Sequence, residues 1–252
     1  MFGGNLLLLA FFGGLFTTLM NMAGTFPILF VKKTESRITD FGLSFAAGVM
    51  LAASFTSLIM PGIEQGGVLP VLVGILIGAV VLSLMDKFIP HMHLIKGVEG
   101  KASRLQAIWL FVFAITIHNM PEGLAVGVGI GSGDIAAGIA LMIAIGLQNI
   151  PEGLSVGFAL TATKKYSRSQ AFLAGNLSGV VELPLAVLGA AAVISAHQIL
   201  PYAMGFAAGA MIFVVSDEII PELHRLGKEK KLTYSLLAGL MIMLFLDTAL
   251  KA

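Results

Sequence analysis

His118 and Glu122 stand four residues apart, and thirty residues further along Gln148 and Glu152 repeat the spacing. Each pair opens the same ten-residue motif, His118-Asn-Met-Pro-Glu-Gly-Leu-Ala-Val-Gly127 against Gln148-Asn-Ile-Pro-Glu-Gly-Leu-Ser-Val-Gly157. In a helix an i to i+4 pair projects from one face, and Asn119 and Asn149, three residues before their glutamates, extend it. One imidazole, several carboxylates and side-chain amides form a borderline-to-hard ligand set. It suits zinc, iron(II), manganese or cobalt better than copper(I), and calcium fits poorly beside imidazole. A third glutamate, Glu182, lies like Glu122 and Glu152 inside an apolar run. A central ionised carboxylate there costs about 2.5–3.5 kcal/mol on an insertion scale. Three such groups must be protonated, paired or neutralised by a cation, and no Lys or Arg falls at comparable depth. A divalent metal is the natural partner; the alternative is a buried hydrogen-bonded network that only fixes helix packing.

Pro121 and Pro151 have no N–H to donate, so the carbonyls of Ile117 and Leu147 are expected to lose their partners and each helix to kink beside the site. The spacings Gly123/Gly127, Gly153/Gly157 and Gly175/Gly179 predict close approach of the helices that carry the three glutamates. Other residues are weaker candidates. Met50 offers a thioether, although most of the 13 methionines are packing residues. Ser57, two turns on, is a pathway hydroxyl or an intrahelical hydrogen bonder, and Asn176, before Ser178 and Glu182, is expected to line the same cavity. Asp217, Glu218, Glu222 and His224 crowd one end of their helix, where they would receive departing metal or pair with Arg225. Glu64 and Asp247 are expected near the opposite surface, as cation collectors or as ordinary solvated carboxylates. His91 and His93 would hold metal transiently in a loop.

These residues need a membrane to position them. The chain is 57% hydrophobic and 12% charged, against about 25% charged in soluble domains. Its 30 glycines suit close helix packing in lipid, and the absence of cysteine excludes disulfides and thiolate metal sites. A bilayer core needs about 20 apolar residues per helix, and the chain divides into eight such runs, approximately 4–31, 41–62, 67–90, 105–130, 136–161, 170–195, 199–225 and 233–250. The expected fold class is an all-α polytopic membrane protein, one transmembrane domain over 1–252, with a short cytoplasmic loop at 91–104. Of 15 Lys and Arg residues, all but Lys251 then fall on one side, which the positive-inside rule makes cytoplasmic. Both termini are expected outside the cell membrane. Met1 to Asn5 lack a basic n-region, so the first run reads as a retained helix. A second, looser repeat sets Phe45-Ala-Ala-Gly-Val-Met50 against Phe206-Ala-Ala-Gly-Ala-Met211. In both repeats the paired helices cross in opposite directions, and inverted repeats around a midplane site are a transporter design. The glycines of Gly127-Val-Gly-Ile-Gly-Ser-Gly133 follow no strand, which excludes a dinucleotide loop, and no nucleic-acid partner is expected.

On its paired Pro-Glu-Gly motifs and eight runs, essentially the whole chain resembles the ZIP (Zrt/Irt-like) metal transporters, and more narrowly their prokaryotic GufA-type branch. The resemblance implies a two-metal centre. His118, Glu122, Gln148 and Glu152, with Met50 and Glu182, would hold one ion; Asn119, Asn149 and the bridging Glu122, Glu152 and Glu182 would hold a second. It also implies carriage of divalent metal, commonly zinc, into the cytoplasm by a homodimer, with helices 1, 4, 5 and 6 moving against 2, 3, 7 and 8. Many members have His where this chain has Gln148, a weaker zinc ligand, which leans selectivity toward manganese or iron(II) or broadens it. The His-rich loop of many relatives is reduced to His91 and His93. An intramembrane metalloenzyme is the rival from another class, since a His/Glu centre can activate water, but HExxH, a nucleophile and an oxyanion donor are all missing. The chain therefore reads as no enzyme. A proton- or sodium-coupled cation carrier is the remaining alternative.

Overall fold

The structure, a computed structural model, describes residues 2–30, 36–88, 104–162, 166–221 and 229–249. Among them every regular element is helical. In lipid a chain must satisfy its backbone within itself, and a helix does so segment by segment. The α-helices are α1 (Phe2–Thr25), α2 (Ser36–Ala53), α3 (Met60–Gly66), α4 (Val68–Phe88), α5 (Arg104–Gly131), α6 (Ile135–Ala162), α7 (Arg168–Gly179), α8 (Glu182–Ser195), α9 (Leu200–Val214) and α10 (Glu229–Ala249). Seven stretches of the described residues are long and apolar enough to cross a membrane: 5–29, 40–66, 68–85, 135–158, 168–195, 197–217 and 230–249.

Three irregularities shape the rods. A π-helical turn, Ser54–Ile59, joins α2 to α3, and another, Val215–Ile219, prolongs α9. The stretch read from sequence as one helix over 170–195 is two, α7 and α8, with Val180 and Val181 between them. Tight reversals fall at Gly67 and Gly133, whose φ values of 81° and 91° only glycine adopts without strain.

The helices pack in two groups. In one, α1 lies on α6 and α8, and α5 on α8; in the other, α2 lies on α10 and α4 on α9. The groups meet along α2 with α6 and α5 with α9. Glycine makes the closest approaches possible: a methyl on Gly48 would run into the carbonyl of Leu236, and one on Gly78 into that of Phe206. The surface is apolar where a soluble protein's would be charged, as along α4, where Leu69, Leu72, Leu76, Ile77, Val80 and Leu84 are all exposed. Polar side chains turn inward instead: Thr17, Asn21, Ser57, Asn119, Glu122, Gln148, Asn149, Glu152, Glu182 and Asp247 are all buried. That inversion matches a solvent of hydrocarbon.

Candidate metal centre

Three helical features bring the glutamates together. Helices α5 and α6 run uninterrupted through Pro121 and Pro151, so each keeps its polar face in helical register. Helix α7 stops at Gly179 and α8 restarts at Glu182, which places that carboxylate in the first turn of α8, where unpaired N–H groups and the helix dipole favour negative charge. Finally, Gly123 lets α5 touch α8 backbone to backbone: a methyl there would lie 2.6 Å from both Cα and the carbonyl oxygen of Glu182.

Amides knit the carboxylates. Gln148 Nε2 donates to Glu122 Oε1. Asn149 Nδ2 donates to both Glu182 oxygens at 2.9 Å and to the Thr17 carbonyl at 3.2 Å. All of these neighbours are acceptors, so each amide nitrogen must face them and each amide oxygen must point away. The consequence is a set of buried acceptors, Glu122 Oε2, Gln148 Oε1 and Asn149 Oδ1, with no hydrogen-bond partner among the described residues. A buried unsatisfied acceptor costs about 1–3 kcal/mol, a cost that bound cations would relieve. Among the described residues no three His, Asp or Glu side chains are arranged to hold an ion by themselves. Any ion held here therefore needs the amides, or the His118 side chain, which lies outside the described atoms.

The other predicted residues are scattered around this centre. Asn119 is buried on α5, and Met50 is fully buried on α2 within the main apolar core. Ser57 donates to Asp247 Oδ1 at 3.0 Å, tying the first π turn to α10. Asp247 is thus a buried carboxylate with a partner, and the solvated alternative does not hold for it. Asn176 donates to the Phe172 carbonyl at 2.7 Å and accepts from Thr25 at 3.2 Å, so it braces α7 against α1. Glu64 on α3 and Asp217 in the second π turn are exposed. Glu218 sits in the same turn with its side chain outside the described atoms, while His91, His93, Glu222 and His224 lie outside the described residues.

Sequence reasoning missed helix α1. Gly123 and Gly127 of α5 do rest on α8, but Gly153 and Gly179 rest on Asn21, and Gly175 on Thr25. The Thr17 carbonyl accepts from Asn149 Nδ2, the same nitrogen that donates to Glu182. The signal was present in the sequence as Thr17, Asn21 and Thr25, a polar stripe at i, i+4 and i+8 of an apolar run.

Comparison with known proteins shows the family. The family model described as ZIP Zinc transporter matches residues 95–247, the stretch that carries both motifs and Glu182. The chain belongs to the ZIP family. Among its ZIP relatives, zinc transporter ZIPB of Bordetella bronchiseptica is 41% identical, over 90% of this chain and 76% of that protein. Zinc transporter GufA of Myxococcus xanthus is 37% identical, over 90% and 93% respectively, and places the chain in the prokaryotic GufA-like branch of ZIP proteins. Human zinc transporter ZIP11 is 35% identical over 96% of this chain and 97% of its own length.

Proposed function

We propose that this ZIP protein carries divalent transition-metal ions, zinc foremost and also cadmium, iron(II) and manganese, across the cell membrane toward the cytoplasm. The observation that carries the reading is the buried constellation of three carboxylates and unpartnered amide oxygens inside an apolar bundle. Carboxylates and outward amide oxygens, with no Lys or Arg at comparable depth in the apolar runs, suit a visiting cation better than a permanent protein contact. The metal is cargo: His118, Glu122, Gln148 and Glu152 hold one ion with Met50 and Glu182, and Asn119 and Asn149 hold a second with the bridging glutamates. Ser57, Glu64, Asn176 and Asp247, with Asp217, Glu218 and Glu222 at the other end, border the route. No step of this function is a covalent reaction.

In this reading α5, 28 residues long, is the eighth span. Both termini lie outside, and the unit in the bilayer is a homodimer. The two halves are inverted repeats, related by an offset of 161 residues, and several pairs of contacts support that offset. Gly48 meets the carbonyl of Leu236 as Gly209 meets that of Ile75. Gly239 meets the carbonyl of Phe45 as Gly78 meets that of Phe206. Thr17 donates to the Gly14 carbonyl at 3.1 Å, and Ser178 to that of Gly175 at 2.7 Å. The π turns begin at residues 54 and 215, again 161 apart. At this offset α1 corresponds to the α7–α8 pair, α2 to α9 and α4 to α10, while α5 and α6 exchange at the 30-residue offset of their motifs, and the helix contacts map onto one another.

Uptake into proteoliposomes of zinc, cadmium, manganese and iron(II), with and without a pH gradient, tests the proposal. Wild type should take up metal and Glu152→Ala should not, although it inserts normally. Equal flux from the mutant would remove the site assignment, and no metal flux from folded wild type would favour the proton or sodium carrier.

A further inference from the structure

The offset that relates the two halves gives Glu182 a counterpart in α1, and that counterpart is Asn21, 161 residues earlier. The contacts agree. Gly123, next to Glu122, rests on Glu182; Gly153, next to Glu152, rests on Asn21, whose carbonyl oxygen would lie 2.5 Å from an added methyl. Asn21 is 5% exposed. Its Nδ2 donates to the Gly175 carbonyl at 3.1 Å, which leaves Oδ1 as the end that faces Gly153, 2.5 Å from where a methyl there would sit. One turn earlier on the same face, the Thr17 carbonyl already accepts from Asn149.

We propose that Asn21 is a further ion-facing residue of the centre, supplying a neutral amide oxygen on α1 where the other half of the molecule supplies the Glu182 carboxylate. The inference rests on the metal-carrier reading above. Its physical content is a charge asymmetry. Three carboxylates facing two divalent ions leave one net positive charge, and a carboxylate at position 21 would cancel it. The amide therefore keeps the ion weakly held on the Glu152 side, which favours release over retention.

A residue that only braces the end of α7 would behave differently, and two substitutions separate the cases. The chain has no cysteine, so Asn21→Cys introduces one thiol, on a side chain smaller than the one it replaces. Cadmium titrated into the purified full-length protein should produce a saturable ultraviolet thiolate-to-cadmium absorption band, and adding Glu152→Ala should abolish it. Asn21→Asp keeps the shape and adds the missing charge. It should lower KM for zinc flux on the order of tenfold, since a charge at ion-contact distance outweighs 1.4 kcal/mol even at an effective dielectric of 20, and should lower the maximal rate as well. Monodisperse Asn21→Cys protein that carries cadmium without the band, or Asn21→Asp with an unchanged or raised KM, overturns the proposal. So does loss of folding in both variants, which would make Asn21 a brace. Wild-type flux that Glu152→Ala removes would leave the carrier reading standing when this inference falls; absence of wild-type flux removes both.

Discussion

Gly123 stands beside Glu122 and against the backbone of Glu182, so Gly123→Ala perturbs the spacing of two carboxylates without touching either. The added methyl would lie 2.6 Å from Glu182 Cα and its carbonyl oxygen, where ordinary contact begins at 3.4 Å. Neither atom belongs to a flexible side chain, so α5 and α8 must part by about 0.8 Å, an overpacking that costs about 1–3 kcal/mol. Metal–ligand distances tolerate only about 0.2 Å. If about 1.4 kcal/mol of that cost falls on ion binding, KM for zinc uptake rises roughly tenfold. Gly129→Ala is the matched control on the same helix, because its methyl would crowd the Leu141 Cδ2 atom at 3.0 Å, which can turn aside, and meet Gly138 Cα at an ordinary 3.8 Å. The assay is initial-rate zinc uptake into proteoliposomes at several concentrations, with insertion checked by gel filtration. Gly123→Ala and Gly129→Ala should differ about tenfold in KM, by the cost just given. Indistinguishable KM values in two folded variants would refute the claim that this backbone contact sets the centre's geometry.

Other expectations address the ligand atoms. Asn149→Leu keeps the volume but strips Glu182 of a donor it shares with Thr17; thermal unfolding with chelator present should show a loss of about 1.5–3 kcal/mol, and an unchanged Tm would sink the bridging role. Gln148→His replaces an amide with a better zinc ligand, so competition assays should shift toward zinc over manganese; unchanged ratios would count against Gln148 as a ligand. Glu122→Ala should abolish metal flux with the protein still inserted, and retained flux would remove Glu122 from the site.

Which residues bear charge inside apolar runs is fixed by composition and position alone, because hydrocarbon penalises an ionised group whatever its neighbours. From that penalty and the i to i+4 spacing follow the helical class, the two motif helices and the candidate ligands Glu122, Gln148, Asn149, Glu152 and Glu182. The doubled motif also carried the family. Tertiary structure decided the rest, since a polar atom's role depends on what faces it across helices. It turned Asp247 inward onto Ser57, spent Asn176 on bracing Phe172 and Thr25, and brought α1 to the centre through Thr17 and Asn21. It also broke the 170–195 run at Val180 and Val181, which puts Glu182 at a helix start. Glycine spacing announces that helices approach closely, but only the packed bundle says which: α8 receives Gly123, and α1 receives Gly153 and Gly179.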